Sequence, residues 1–252
     1  MSVDYNASKN LHTIEGPRAA LKWIFPDSKP RSLLDVGCGI GTWLRASMDF
    51  GVPEVFGVDG SEISEGDLLI PSTVFQQRDL TQLLDLRRRF DVVLCFEVAE
   101  HLESSFAAVF LDSLVRHADV IVFSAACPGQ PGQHHVNCQW PSYWQKLFNE
   151  RGYACSDDIR WRIWTDDAIE PWYRQNMMVA RKDAVSAGKE KPIESVIHPS
   201  MMSFFNGFQA EKTRMETIRA AASGDFGLKW CRETLQNAIS SRTRRLWRKL
   251  MT

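Results

Sequence analysis

Residues 33–43 read LLDVGCGIGTW, a short apolar run that ends in an acid and is followed by three alternating glycines. The apolar run is typical of a buried strand, and the residues after the glycines are typical of a helix that ends at Gly51. Gly37, Gly39 and Gly41 lie between the two. Glycine adopts positive φ without strain and lets the backbone approach a ligand closely. The stretch therefore predicts a sharp strand-to-helix turn at a binding site.

Apolar runs alternate with helix-like segments from residue 31 to residue 182. Such alternation predicts an α/β fold with a doubly wound, mostly parallel sheet. The last two apolar runs, near 153–164 and 175–182, are expected to form an antiparallel pair at one edge. The complete expectation is a seven-stranded sheet.

Three segments flank this predicted domain. Residues 1–30 are expected to form a lid or a flanking helix, and as a lid they would bring Tyr5 and His12 to the site. Residues 183–200 are polar and predict a linker. Residues 201–252 predict a C-terminal helical appendage. Its basic tail, SRTRRLWRKL, suits docking on a protein, binding to an anionic membrane surface, or a solvated basic face.

The bulk composition excludes several classes of function. The chain has 252 residues and a net charge of −1, which gives no general electrostatic reason to bind nucleic acid. The first residues lack the pattern of a signal peptide, and no apolar run is long enough for a membrane span. The six cysteines form no CxxC pair. We expect a cytoplasmic protein, with a peripheral position at the inner membrane face if the tail binds lipid.

The spacing of the glycines narrows the choice of ligand. It is GxGxG, whereas dinucleotide-binding turns have GxGxxG, and no Gly-Lys-Ser/Thr follows as in a P-loop. Asp59 ends the second predicted strand and Asp79 the third. At these positions a carboxylate suits the hydroxyls of a ribose and the amino group of an adenine. The pattern therefore favours a nucleoside ligand of another kind.

These stretches resemble the motifs of class I S-adenosylmethionine-dependent methyltransferases. The first motif is LLDVGCGIGTW, the second VFGVDGS, the third RDL and the fourth FDVVLCFEVAEHL, and the resemblance covers about residues 31–182. It implies S-adenosylmethionine as cofactor and S-adenosylhomocysteine as product. It also implies cofactor-binding residues: Asp35, Gly37, Gly39 and Gly41 at the methionine part, Asp59 at the ribose, Asp79 and Leu80 at the adenine, and Cys95, Phe96 and Glu97 along the site.

A second resemblance concerns the acceptor. The segments SAACPGQPGQHHVNCQWPSYW and WYRQN are similar to a bacterial subgroup associated with small-molecule and surface-polysaccharide modification. Pro131 departs from this pattern, because a second glycine is expected there, and it would stiffen or reshape the loop. The resemblance implies a small-molecule, sugar or glycan acceptor.

Candidate catalytic residues follow from the chemistry of methyl transfer. The cofactor carries the reactivity, so the protein must align the acceptor and, for a hydroxyl, remove a proton. Histidine suits this role near neutral pH. His134 and His135 follow the fifth predicted strand, and we favour His135 because it fits the HVN segment. Loop packing is the alternative role for both, and for His101 it is the favoured one.

Aromatic residues are concentrated in the second half of the chain. Their faces suit sugar rings, and an arginine suits an anionic group. Packing between the edge strands and the tail helices is the alternative. The predicted acceptor-binding residues are Trp140, Tyr143, Trp172, Tyr173 and Arg174.

Two groups of residues have the chemistry of metal ligands. They are Glu97, Glu100 and His101 in one case, and His134, His135 and Cys138 in the other. Neither offers the four ligands of a structural zinc site, so we predict no metal. The favoured function is O-methylation with a histidine base. The alternatives are N-methylation of a small molecule or sugar amine, and a non-catalytic subunit that binds the cofactor.

Overall fold

The structure of the protein is a computed structural model that describes residues 13–202 together with Thr213, Met215, Glu216 and Arg219. The chain divides into two units, Met1–Ser203 and Phe204–Thr252. The fold described below belongs to the first unit. Most of the predicted appendage with its basic tail, and also Tyr5 and His12, lies outside the described residues.

Seven strands of the described region form one sheet with the order β3-β2-β1-β4-β5-β7-β6. All neighbouring strands are parallel except β7, which is antiparallel to both β5 and β6. This confirms the predicted doubly wound sheet with an antiparallel edge pair. The strands are β1 (Ser32–Val36), β2 (Glu54–Asp59), β3 (Phe75–Gln77), β4 (Val92–Phe96), β5 (Val120–Ser124), β6 (Tyr153–Ser156) and β7 (Met178–Lys182).

Helices cover the sheet, and short 3-10 turns join several of the elements. The helix α1 occupies part of the predicted N-terminal segment. The α-helices include α1 (Glu15–Ile24), α2 (Thr42–Phe50), α3 (Ala107–His117), α4 (Pro141–Asn149), α5 (Asp158–Ile163) and α6 (Pro171–Asn176). In the described part of the chain no helix is long and apolar enough to cross a bilayer.

The interior strand β1 fixes the position of the site. Leu33, Leu34 and Val36 are fully buried, because apolar side chains cover both faces of the sheet. β1 lies between β2 and β4, and the three strands run in the same direction. Their carboxyl ends therefore meet at one edge, where ligands bind in open α/β sheets.

The predicted linker segment packs against the first unit. Residues 183–198 contain neither helix nor strand. The backbone N–H of Ile193 donates to Gln145 Oε1 at 2.8 Å, and Gln175 Nε2 donates to the carbonyl of Val196 at 2.6 Å. These hydrogen bonds hold the segment against α4 and α6.

Candidate active site

The turn after β1 has the backbone geometry that its glycines permit. Gly37, Gly39 and Gly41 have φ values of 83°, 51° and 86°. A Cβ atom at Gly37 would lie 2.2 Å from Cγ2 of Val98, so no side chain fits there. The N–H of Gly37 donates to the carbonyl of Val58 at 2.8 Å. The turn is thereby fixed to the end of β2.

Asp59 ends β2 and ties this turn down from the other side. Its carboxylate accepts the N–H of Gly39 and the N–H of Ser61, each at 2.7 Å. A carboxylate has about four lone-pair positions. The two that remain are able to accept hydroxyl groups from a ligand.

A cavity of about 500 Å³ opens at this edge of the sheet. We call its one side the nucleoside end, formed by Gly37, Asp59, Asp79 and Leu80. Its other side carries Glu97 and His101. The lining residues are Gly37, Asp59, Gly60, Ser61, Gln77, Arg78, Asp79, Leu80, Thr81, Glu97, Val98, His101 and Leu102.

Asp79 and Leu80 give the nucleoside end a polar and an apolar wall. Asp79 is exposed, and one carboxylate oxygen accepts bonds from the hydroxyl and the N–H of Thr81 at 2.6 and 2.9 Å. The hydroxyl contact, followed by the N–H contact, lowers the pKa of Asp79. Leu80 is buried beside it. An ionised acceptor next to an apolar side chain suits an adenine ring with its amino group.

The other predicted cofactor residues support the cavity from behind its wall. Gly39 and Gly41 shape the turn. Cys95 is fully buried in the core. Phe96 packs on Trp43, with ring centroids 4.3 Å apart. Asp35 is buried, and this burial, with the nearby Asp59 charge, raises its pKa well above the usual range.

Glu97 has an unusual backbone and a network of hydrogen bonds. Its φ is 54°, in the left-handed region that costs a residue with a side chain about 1–3 kcal/mol. Its carboxylate accepts Gln130 Nε2 at 2.7 Å and Asn176 Nδ2 at 3.2 Å. Asn176 also donates to Gln130 Oε1 at 2.8 Å. Gln130 and Asn176 lie far apart along the chain, and the sequence pattern did not indicate that they belong to the site.

Glu97, Glu100, His101 and His135 form what we call the acid–histidine end. Glu100 is fully buried, and burial together with the Glu97 charge raises its pKa well above the usual range. Burial, reinforced by the neighbouring His135, lowers the pKa of His101 to about 4. The two imidazole centroids are 5.0 Å apart. Burial also lowers the pKa of His135, so both rings are neutral at pH 7.

The two predicted catalytic histidines differ in position. His135 is half-buried beside His101, and its Nδ1 lies 3.1 Å from the carbonyl oxygen of Gln130. His134 is exposed, and its φ is 59°. The ring that lines the cavity is that of His101, for which the sequence analysis favoured packing.

The predicted acceptor-binding residues lie outside the wall of this cavity. Tyr173 is buried, and its hydroxyl accepts Trp43 Nε1 at 3.0 Å. Arg174 is also buried and pairs with Asp167 at 2.7 Å. Trp172 is partly buried and packs on Tyr173. These contacts are the ones expected if these residues serve packing and not acceptor binding.

Trp140 and Tyr143 lie at the beginning of α4, and both are partly exposed. The ring of Tyr143 meets that of Trp144 edge-to-face at 4.9 Å between centroids. Trp144 is buried in the core, so α4 is anchored through it.

Comparison with known proteins gives a family match. The family model described as a methyltransferase domain matches residues 10–164. No curated protein matches the chain in sequence.

Solved structures share the fold at low sequence identity. The methyltransferase domain of bacterial CtHen1 has 16% identity and a TM-score of 0.50, covering 68% of this chain and 100% of its own. The sugar N-methyltransferase KedS8 from Streptoalloteichus has 18% identity and a TM-score of 0.50, covering 70% and 89%. Haemonchus contortus phosphoethanolamine N-methyltransferase 1, solved with S-adenosylhomocysteine, has 14% identity and a TM-score of 0.50, covering 80% and 48%. At these identities the likeness shows the fold alone.

Proposed function

The chain belongs to the methyltransferase-domain family and uses S-adenosylmethionine, and from this premise we propose that it methylates an oxygen atom of a small-molecule or sugar acceptor. One observation carries the proposal. A single cavity is lined by the Asp59 and Asp79 carboxylates at its nucleoside end and by the neutral imidazole of His101 at the other. The cofactor and the acceptor would thus meet in one cavity.

The nucleoside end supplies the contacts for the cofactor. The free lone pairs of Asp59 would accept the ribose hydroxyls, and Asp79 would accept the adenine amino group while Leu80 packs on the ring. Gly37, which has no side chain, would let the methionine part pass close to the backbone. A volume of about 500 Å³ lies within the usual range for such ligands.

The acid–histidine end supplies the chemistry at the acceptor. An oxygen lone pair of the acceptor forms the new bond to the methyl carbon, while the electrons of the carbon–sulfur bond pass to sulfur. The proton of the acceptor hydroxyl leaves at this end, and a neutral imidazole is a suitable group to take it. His135 is the proposed base, and its ring lies 5.0 Å from that of His101, which lines the cavity.

N-methylation is the second candidate, because the fold is shared with sugar and phosphoethanolamine N-methyltransferases. An amine that is already neutral needs orientation but no strong base. Replacing His135 with glutamine would therefore leave most of the activity towards an amine and remove most of the activity towards a hydroxyl.

The test is a screen of acceptors with labelled S-adenosylmethionine. Sugar nucleotides, free sugars and matched amino sugars are incubated with the full chain, and labelled product and S-adenosylhomocysteine are measured by mass spectrometry. We expect an O-methylated product that the Asp59→Asn variant forms much more slowly. Methylation confined to the amino sugars would contradict O-methylation and favour the second candidate.

A further inference from the structure

The acid–histidine end contains polar atoms that are buried without partners. Both carboxyl oxygens of Glu100 and Nδ1 of His101 are buried and have no hydrogen bond of accepted geometry within the described residues. Leaving one such group unpaired costs about 1–3 kcal/mol. A cluster of buried polar groups without hydrogen-bond partners is a candidate site for a ligand.

Three side chains of the acid–histidine end lie close enough together to hold a cation. Glu100, His101 and His135 each offer a ligand atom, and the three atoms lie within 4.8 Å of one another. Two atoms bound to one transition-metal ion at about 2.1 Å each lie at most about 4.2 Å apart. Shifts of a few tenths of an ångström in side-chain position would therefore close the set around one ion.

The surroundings of His135 support the same role. Its Nδ1 lies 3.1 Å from the carbonyl oxygen of Gln130, which leaves Nε2 as the free nitrogen. A histidine that binds a metal commonly donates its other nitrogen in this way. Gly132 makes room for the ring, since a Cβ there would lie 2.0 Å from Nε2 of His135. The side chain of Gln130 is itself bonded to Glu97 and Asn176.

We propose that Glu100, His101 and His135 bind a divalent transition-metal cation next to the cofactor cavity. Two imidazoles and a carboxylate suit Mn²⁺, Co²⁺ or Zn²⁺ better than Mg²⁺ or Ca²⁺. Three protein ligands leave coordination positions open, as in catalytic sites. His101 lines the cavity, so these positions are accessible to an acceptor there. Glu97, which lies against Glu100, adds a second carboxylate beside the ion.

This inference rests on the proposed function and states its chemistry more closely. An acceptor hydroxyl bound to the cation would have a lowered pKa and would lose its proton to water. The oxygen would then form its bond to the methyl carbon, and the carbon–sulfur electrons would pass to sulfur. With the ion bound, His101 and His135 would hold it, and water would take the proton in place of the His135 base of the metal-free mechanism. This chemistry implies that the acceptor is a compound with a hydroxyl group.

Cobalt is the probe that tests this site. The full chain, freed of metal with a chelator, is titrated with CoCl₂ and followed by visible absorption and calorimetry. We expect one Co²⁺ per chain, with the absorption bands of nitrogen and oxygen ligands. Glu100→Gln and His135→Gln are each expected to weaken binding on the order of 100-fold.

Two neighbouring variants are the controls. Glu103→Gln and Gln133→Asn change exposed side chains in the same segments and should keep the cobalt affinity. Circular dichroism checks the fold of each variant, and His135→Gln decides the test if Glu100→Gln unfolds. Cobalt binding that is absent, or equal in the wild type and the folded variants, would overturn the metal site.

A parallel titration with S-adenosylhomocysteine separates the two proposals. Binding of S-adenosylhomocysteine without cobalt binding overturns the metal site and leaves the proposed function, with His135 as base. A folded wild type that binds cobalt but not S-adenosylhomocysteine supports the metal site and contradicts the proposed function.

Discussion

The two ends of the cavity satisfy their polar groups differently. At the nucleoside end, Asp59 and Asp79 already accept hydrogen bonds from the backbone and from Thr81. At the acid–histidine end, both carboxyl oxygens of Glu100 and Nδ1 of His101 are buried and form no well-aligned hydrogen bond within the part of the chain that the structure describes. One end is held in place by the fold itself, whereas the other holds groups that a ligand would complete.

This difference predicts that substitutions at the two ends affect different steps, cofactor binding at one end and methyl transfer at the other. Changes at the nucleoside end should remove cofactor affinity, whichever acceptor is used. Changes to Glu100 or His135 at the acid–histidine end should leave cofactor affinity and remove methyl transfer.

Gly37→Ala is expected to have the largest effect. A side chain at φ of 83° costs about 1–2 kcal/mol, and its Cβ would lie 2.2 Å from Val98. We expect the affinity for S-adenosylhomocysteine to fall on the order of 100-fold or more, measured by calorimetry. Gly66→Ala is the matched control, because nothing lies within 4 Å of its Cβ position. Equal affinities of the two variants would show that this turn does not form the binding site.

Asp59→Asn is expected to weaken binding of the same ligand by about 10- to 100-fold, since charge-assisted hydrogen bonds contribute about 1.5–3 kcal/mol. The amide keeps the size of the side chain but loses the charge and an acceptor for Gly39 or Ser61. Calorimetry measures the change, and the exposed Asp67→Asn variant is the control. An affinity equal to that of the wild type would remove Asp59 from the site.

The sequence predicted the nucleoside end better than the other end, and the reason is physical. Gly37 follows β1, Asp59 ends β2 and Asp79 comes two residues after β3, and parallel strands bring their carboxyl ends together. Their positions along the chain therefore fix their positions in space. The predicted sheet with its antiparallel edge pair is confirmed for the same reason, since alternation of apolar runs determines it.

The acid–histidine end depends on loops, whose course the sequence pattern does not determine. His135 and Gln130 belong to the loop after β5, and Asn176 ends α6. That Gln130 and Asn176 meet Glu97, and that His135 meets His101, follows from tertiary packing alone. Tyr173 and Arg174 are predicted acceptor-binding residues whose contacts in the structure are with other parts of the protein. An aromatic and basic composition suits a sugar pocket, yet their contacts are with Trp43 and Asp167.

Gly132→Ala is expected to affect the acid–histidine end only. The added Cβ would displace the His135 ring, because it would lie 2.0 Å from Nε2. Methyl transfer to a hydroxyl acceptor should fall about 10- to 100-fold, as for other losses of ligand positioning. The affinity for S-adenosylhomocysteine should stay within about twofold. A parallel loss of both would contradict the separation of the two ends.

His117 provides a comparison within the core, as a buried histidine with both nitrogens partnered. Its Nε2 accepts the N–H of Leu86 at 3.0 Å, and its Nδ1 lies 2.6 Å from the carbonyl of Ser113. Burial lowers its pKa below the usual value near 6.5. Below about pH 6.5 the unfolded chain therefore binds more protons at this residue than the folded chain does. As a result, the free energy of unfolding falls as the pH is lowered through this range.

His117→Gln should reduce this dependence. Urea titrations of the wild type and the variant between pH 7.5 and 5 would measure the free energy of unfolding. In the variant, the slope of the free energy of unfolding against pH should be smaller by up to about 1.4 kcal/mol per pH unit. Gln133→Asn, at an exposed position and without a titrating side chain, should keep the wild-type slope. An unchanged slope in His117→Gln would show that this ring is not held neutral by the fold.

Calorimetric titration of the full chain with S-adenosylhomocysteine tests the central claim most directly. The account predicts one micromolar site per chain, formed by Gly37, Asp59, Asp79 and Leu80. A chain that is folded by circular dichroism and yet shows no heat of binding over this range would contradict the assignment of the cavity to the cofactor.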